Sequence, residues 1–161
     1  MLEQLTLKKA VEFAITTEKL GAQIYGKLAR RFSDQPELVD MFETLAKDEV
    51  AHEREFRALM DRLPAEDKPL QYEQGQYLRA MSISEVYSEE KGLHRNVDKI
   101  TSRDDALERV LTLEKTTLSY YQAMKDVVGP DEALDAIIAA EKRHVVQVMQ
   151  YFITGEKVKS V

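Results

Sequence analysis

The sequence contains no cysteine, which excludes disulfide bonds and thiolate-ligated metal sites within its 161 residues. It also has little glycine and proline, with six and four residues respectively. Long stretches that lack both residues favour extended helices over a sheet with many turns. Any redox chemistry must therefore use other ligands, and the first expectation for the fold is all-α.

Two further features are missing, a basic charge excess and a long apolar run. The net charge is -6 at pH 7, so no binding to DNA or RNA is expected. The amino-terminal stretch MLEQLTLKKAVEFAITTEKL has no basic leader followed by an apolar run. No window approaches the roughly 18 apolar residues that a membrane span requires. We expect a cytoplasmic protein that does not enter a membrane.

The sequence does contain a helical pattern of apolar positions. These positions recur at alternating spacings of four and three, as in helices that pack into a left-handed bundle. Four such seams run from Leu7 to Phe32, from Leu38 to Leu63, from Leu107 to Val128 and from Leu134 to Tyr151. At this length, with 43% hydrophobic residues, we expect a single domain over residues 1–161.

The breaks between the seams predict the connections. In the stretch SDQP, Ser33 and Asp34 can cap the second helix, and Pro36 suits its first turn. From Pro64 to about Ser102 the pattern weakens into short pieces that are at most partly helical, such as SEVYSEEKGLHRNV. Two short connections and this long one predict a four-helix bundle with a crossover between helices 2 and 3.

Polar residues interrupt each seam near its middle, in an order that repeats between the two halves of the chain. The first and third helices carry a Glu and a Tyr seven residues apart, and the second and fourth carry Glu-x-x-His. The residues are Glu18 and Tyr25, Glu49 and His52, Glu114 and Tyr121, and Glu141 and His144. Spacings of three and seven keep each pair on one face of its helix, which is the core face. In an assembled bundle the four glutamates would meet in one layer.

Burying these glutamates has a high energetic cost. One unpaired carboxylate in a protein interior costs several kcal/mol, so four would consume roughly the 5 to 15 kcal/mol that keeps a typical domain folded. No Lys or Arg shares the layer, whereas two divalent cations would balance four negative charges. The two histidines then fit as neutral imidazole ligands. The alternative is that two Glu-x-x-His pairs fall by chance on solvated helix faces.

Four Glu and two His match the ligand set of dinuclear carboxylate sites in bundles, with one Glu from each of two helices and Glu-x-x-His from the other two. By that arrangement Glu49 and Glu141 bridge both metals. The remaining ligands are Glu18 with His52 on one metal and Glu114 with His144 on the other. Oxygen-rich ligation with one imidazole per metal suits iron or manganese, and zinc can occupy such a site without redox activity.

This ordered set of motifs resembles the ferritin-like superfamily, and above all its rubrerythrin-related members. The resemblance covers residues 5 to 153 and lies in the four pairs Glu18 and Tyr25, Glu49 and His52, Glu114 and Tyr121, Glu141 and His144. It implies two iron ions, reduction of hydrogen peroxide or dioxygen, and an external electron donor such as rubredoxin. It also implies a homo-oligomer, with a dimer favoured. Tyr25 and Tyr121 are expected to contact ligands or simply to pack in the core.

The chain departs from its relatives at two positions. Classical rubrerythrins carry an additional glutamate one turn after the third-helix ligand, where this chain has Thr117, so its site is more symmetrical than theirs. Bacterioferritins place a haem-ligating methionine directly after the first bridging glutamate, where this chain has Val50, so haem is not expected. Two alternatives stay open, a ferroxidase that handles iron as ferritins do and a metal-binding bundle without catalytic activity.

Overall fold

The computed structural model describes residues 4–82 and 92–154. Its α-helices are α1 (Leu7–Arg31), α2 (Pro36–Arg62), α3 (Tyr72–Ser82), α4 (Leu93–Asn96), α5 (Arg103–Val128) and α6 (Glu132–Thr154). A 3-10 turn over Val97–Lys99 follows α4. Within the described residues the only β-type pairing is one isolated bridge, between Thr6 and Pro69. The long helices α1, α2, α5 and α6 form the predicted four-helix bundle, so the all-α expectation is confirmed.

Local capping explains where the long helices begin and end. Thr6 accepts a hydrogen bond from the Lys9 amide at the start of α1, and Ser102 does the same for Asp105 at the start of α5. Gly129 ends α5 with a φ of 81°, a conformation that glycine adopts without a steric penalty. At the start of α2 the capping residue is Gln35, which makes no side-chain cap bond. The predicted capping by Ser33 or Asp34 is therefore wrong, because Pro36 begins the helix itself.

The crossover between α2 and α5 is more regular than the sequence pattern indicated. Residues 72–82 form α3, which packs on the bundle through the buried side chain of Leu78. The start of the crossover is held against the segment that precedes α1, because the Leu70 amide donates a hydrogen bond to the Leu5 carbonyl. Of the piece predicted at 84–97, residues 84–91 lie outside the described part of the chain. None of the described helices is both long and apolar enough to cross a bilayer.

The core consists of two apolar clusters at opposite ends of the bundle. One joins the carboxyl-terminal half of α1 to the amino-terminal half of α2, with Leu28 and Phe42 among its members. The other joins the opposite halves of these helices, with Val11 and Phe56 among its members. The four mid-helix glutamates lie at the boundary between the clusters, so the fold places them in one buried layer.

Candidate metal centre

Six polar side chains from four helices meet in this layer. Their burial follows from their seam positions, because each replaces an apolar residue on the core face of its helix. None is more than 7% exposed, and Glu141 is completely buried. The six are Glu18 from α1, Glu49 and His52 from α2, Glu114 from α5, and Glu141 and His144 from α6. The structure thus brings together all six residues that the sequence pattern marked as metal ligands.

The first half of the layer surrounds the imidazole of His52. Its Nδ1 lies 3.6 Å from Glu18 Oε2, 3.0 Å from Glu49 Oε2 and 2.9 Å from Glu141 Oε1. Each of these four residues offers one ligand atom, and all four atoms lie within 4.8 Å of one another. One cation placed among these atoms would therefore reach all four side chains.

The second half surrounds His144 in the same way. Its Nδ1 lies 3.4 Å from Glu114 Oε2, 3.5 Å from Glu141 Oε2 and 3.9 Å from Glu49 Oε1. Glu49 and Glu141 belong to both groups, and each presents one oxygen to each histidine. The arrangement therefore consists of two four-residue groups that share two carboxylates.

Two buried tyrosines hold carboxylates of the layer, and they do so across the two halves of the chain. The Tyr25 hydroxyl on α1 donates a hydrogen bond to Glu114 Oε1 on α5. The Tyr121 hydroxyl on α5 donates to Glu18 Oε1 on α1. Tyr25 belongs to one apolar cluster and Tyr121 to the other, so the layer receives a hydrogen bond from each side. Each tyrosine leaves the second oxygen of its glutamate facing the nearby histidine.

Burial and mutual repulsion raise the pKa values of two carboxyls of this layer, whereas a third responds in the opposite direction. Burial, followed by the charges of Glu18 and Glu141, raises the pKa of Glu49 well above its ordinary value. Burial and the charge of Glu141 raise the pKa of Glu114 to about 8, against a smaller opposing effect of His144. Burial also acts upward on Glu141, but the two adjacent imidazoles outweigh it and lower its pKa to about 2.

The imidazoles respond in the opposite sense to burial. Burial by itself lowers the pKa of His52, but the carboxylates of Glu141 and Glu18 outweigh it and raise the pKa to about 9. Burial is likewise outweighed at His144, where Glu114 and Glu141 raise the pKa to about 11. Near pH 7 the metal-free layer therefore keeps protons on both imidazoles and on Glu114. Divalent cations bound in the layer would take the place of these protons.

Unpaired buried atoms test whether the residues fit such cations. Among the described residues, both oxygens of Glu141, Oε2 of Glu114 and Nδ1 of His144 are buried without a hydrogen-bond partner. Glu141 Oε1 is at ion-pair distance from His52, but the two atoms lack hydrogen-bond geometry. A buried polar atom without a partner costs about 1 to 3 kcal/mol, so four such atoms are a substantial burden. All four are good metal donors that face the centre of the layer, so the donor set fits two divalent cations.

The structure also reveals neighbours that the sequence pattern did not mark. Asp48 Oδ2 lies 3.0 Å from His144 Nε2 and accepts a hydrogen bond from it. A Cβ atom added at Gly21 would lie 3.4 Å from Glu49 Cγ. Asp48 lies directly beside Glu49 in the sequence but off the apolar seam, and Gly21 has no side chain, so periodicity marked neither as a site residue. Thr117, one turn beyond Glu114, is buried.

Comparisons with known proteins agree with this geometry. A crystal structure from Thermotoga maritima, described as that of a ferritin-like diiron-carboxylate protein, is similar with a TM-score of 0.74. The two sequences are 20% identical over 96% of this chain and 99% of that chain, so the likeness concerns the fold. No curated protein matches the sequence significantly. The family model of rubrerythrin matches residues 9–150, which is most of the chain. The protein therefore belongs to the rubrerythrin family of ferritin-like di-iron proteins.

Proposed function

We propose that the protein is a non-haem di-iron oxidoreductase that reduces hydrogen peroxide or dioxygen with electrons from a separate donor. The observation that carries this proposal is the pair of four-residue groups that share Glu49 and Glu141. Two shared carboxylates between two imidazole-containing groups are the arrangement that a dinuclear site requires. A structural ion elsewhere in a bundle would not need a shared pair of ligands at its centre.

The distances support one division of the ligands between two metals. Glu49 and Glu141 would each hold both metals, because each directs one oxygen to each half of the layer. Glu18 with His52 and Glu114 with His144 complete the two halves. One imidazole and several carboxylate oxygens per metal suit iron, and manganese has the same preference. Zinc would fill the site without supporting electron transfer.

When bound, an iron pair supplies two electrons, which together with two protons reduce one hydrogen peroxide to two molecules of water. The side chains of this chain then have three tasks. The bridging carboxylates hold the two halves together, the tyrosine hydroxyls fix the orientation of Glu18 and Glu114, and the apolar clusters exclude bulk water. The two electrons that restore the ferrous state then come from a separate donor such as rubredoxin.

The proposal is tested by loading the protein with ferrous iron under anaerobic conditions and measuring the metal content. Peroxide or air-saturated buffer is then mixed in while the optical spectrum is recorded. We expect two irons per chain and oxidation of both by one equivalent of peroxide. Glu49→Ala should lose both metals, since Glu49 serves both halves, whereas Tyr25→Phe should keep both. Retention of two irons by Glu49→Ala would show that the bridging assignment is wrong.

The same material separates this function from iron storage, the second use of such sites. A ferroxidase that feeds a mineral store needs a hollow shell of many subunits, whereas the proposed oxidoreductase is expected to be a dimer. Sedimentation of the iron-loaded protein distinguishes the two assemblies. A large shell that accumulates many irons per chain would favour storage over the proposed function.

A further inference from the structure

The two halves of the metal layer have the same kinds of ligand, three Glu and one His, but differ in one neighbouring position. Asp48 directly precedes the shared Glu49 on α2, whereas Ala140 directly precedes the shared Glu141 on α6. Each residue therefore occupies the same place relative to its Glu-x-x-His motif. The internal repeat predicts the same surroundings for the two histidines, but the exchange of aspartate for alanine makes these surroundings different.

In one half, the aspartate holds the histidine. Nε2 of His144 donates to Asp48 Oδ2 at 3.0 Å, which leaves Nδ1 facing the carboxylates of the layer. A carboxylate behind a metal-binding histidine fixes its tautomer and ring orientation and raises its basicity. His144 is only 3% exposed, so its ring is shielded from solvent as well as held by Asp48.

In the other half, an alanine leaves the histidine without this support. His52 points Nδ1 at Glu49 and Glu141, and the remainder of its ring lines a surface groove between α2 and α6. Within the described residues, no hydrogen bond reaches the Nε2 edge of His52. The groove measures about 500 Å³, and its walls include the small side chains of Ala136 and Ala140. A hydrated cation or a small oxidant can therefore approach this half directly.

The charge of the groove favours cations. Three acidic residues line it, Asp48, Glu55 and Glu132, against one basic residue, Arg143. Such an excess of negative charge at the mouth of a cleft raises the local concentration of divalent cations. The groove is thus suited to deliver metal ions to the layer.

We propose that the two metal positions are inequivalent and that divalent cations enter and leave through the groove beside His52. The position with Glu18 and His52 exchanges its ion readily, whereas the position with Glu114 and His144 is held by Asp48 and exchanges slowly. This inference rests on the proposed dinuclear site, but it concerns metal exchange and does not depend on which oxidant is reduced.

The test uses cobalt(II), which has a visible absorption band when bound and needs no redox partner. The protein is loaded with cobalt, excess EDTA is added, and loss of the band is followed over time. We expect two phases of equal amplitude. Asp48→Ala should speed the slow phase by about 10- to 100-fold, matching the usual loss of metal affinity when the partner behind a ligand is removed. Glu43→Ala, which removes an exposed carboxylate from the same helix, is the matched control.

Two substitutions in the groove probe the other half. Ala140→Asp places a carboxylate at the position on α6 that corresponds to Asp48 on α2, so that His52 gains the kind of partner that His144 has. This substitution should slow the fast phase by about 10-fold. Ala136→Leu narrows the groove at an exposed position that does not disturb the core, and it should also slow the fast phase. The slow phase should not respond to either change.

The outcomes separate this inference from the proposed function. Two cobalt ions that leave in a single phase, or an Asp48→Ala variant whose slow phase is unchanged, would overturn the inference alone. A parent protein that binds fewer than two cobalt ions would overturn the dinuclear site and the inference together. If the rate of the fast phase is the same in Ala136→Leu and Ala140→Asp as in the parent protein, ions leave by another route.

Discussion

Gly21 offers a sharp test of how closely the bundle is fitted to its metal layer. It lies one turn beyond Glu18 on α1, and a Cβ atom there would lie 3.4 Å from Cγ, 3.8 Å from Cδ and 3.7 Å from Oε1 of Glu49. Gly26 occupies the same helix, but a Cβ atom there would meet only the Arg30 guanidinium, at 3.8 Å. The two glycines therefore share a backbone conformation and differ in what an added methyl group would touch.

The expected magnitudes follow from this difference. Replacing a glycine inside a helix by alanine stabilises a protein by about 0.8 to 1 kcal/mol, and Gly26→Ala should show this full gain. In Gly21→Ala the methyl group makes close van der Waals contact with Glu49 at 3.4 Å and so limits the rotamers of that side chain, and a displaced side-chain torsion costs about 0.5 to 1.5 kcal/mol. The free energy of unfolding of the metal-free Gly21→Ala protein should therefore stay within about 1 kcal/mol of the parent value. In the metal-bound protein Glu49 cannot move aside, so metal affinity should fall by roughly 2- to 10-fold.

Both variants are measured by denaturant unfolding without metal and by calorimetric titration with cobalt(II). We expect Gly26→Ala to be more stable than the parent with unchanged affinity, and Gly21→Ala to bind cobalt more weakly. Parental affinity in Gly21→Ala would show that Glu49 does not need the space beside the glycine. An equal loss of affinity in Gly26→Ala would show that the effect comes from the helix backbone and not from the contact.

Two further predictions concern the protons of the metal-free layer. Binding of two divalent ions at pH 7 should release about three protons or more, because the raised pKa values of His52, His144 and Glu114 keep these groups protonated without metal. Titration in buffers of different ionisation enthalpy measures the number, and release of fewer than two would contradict the prediction. Glu114→Gln should flatten the pH dependence of metal-free stability. A pKa raised from 4.5 to about 8 makes stability fall as pH rises through this range, by about 1.4 kcal/mol per pH unit, and unfolding curves at pH 5 and 8 would show whether the slope persists in the variant.

The ligand residues were predictable because their signal is local. Glu18, Glu49, Glu114 and Glu141 stand on apolar seams whose spacing follows from the helical repeat, and a carboxylate at such a position is anomalous in any bundle. The histidines three residues later share the same face for the same reason. The crossover was harder to predict, since α3 is held mainly by packing of residues such as Leu78 against the rest of the fold and not by a strong pattern of its own.

Helix ends and supporting contacts escaped the sequence pattern for a different reason. Either Ser33 or Asp34 satisfies the residue preference of a helix cap, but the chain turns so that Gln35 occupies that place. Asp48 lies about 100° around the helix from Glu49, so periodicity assigns it to another face, and only the approach of α6 brings it against His144. The crossing of the tyrosines likewise depends on how α1 and α5 face each other.

The sequence by itself determined the helical class, the four-helix architecture and the identity of the six polar side chains in the central layer, because each of these follows from spacing along single helices. Only the tertiary structure decided which oxygen faces which histidine, that the tyrosines reach across to the opposite half, and that His144 is fastened by Asp48 while His52 borders a groove. The physical reason is that periodicity specifies a face of a helix, whereas partners across an interface depend on the relative position of two helices.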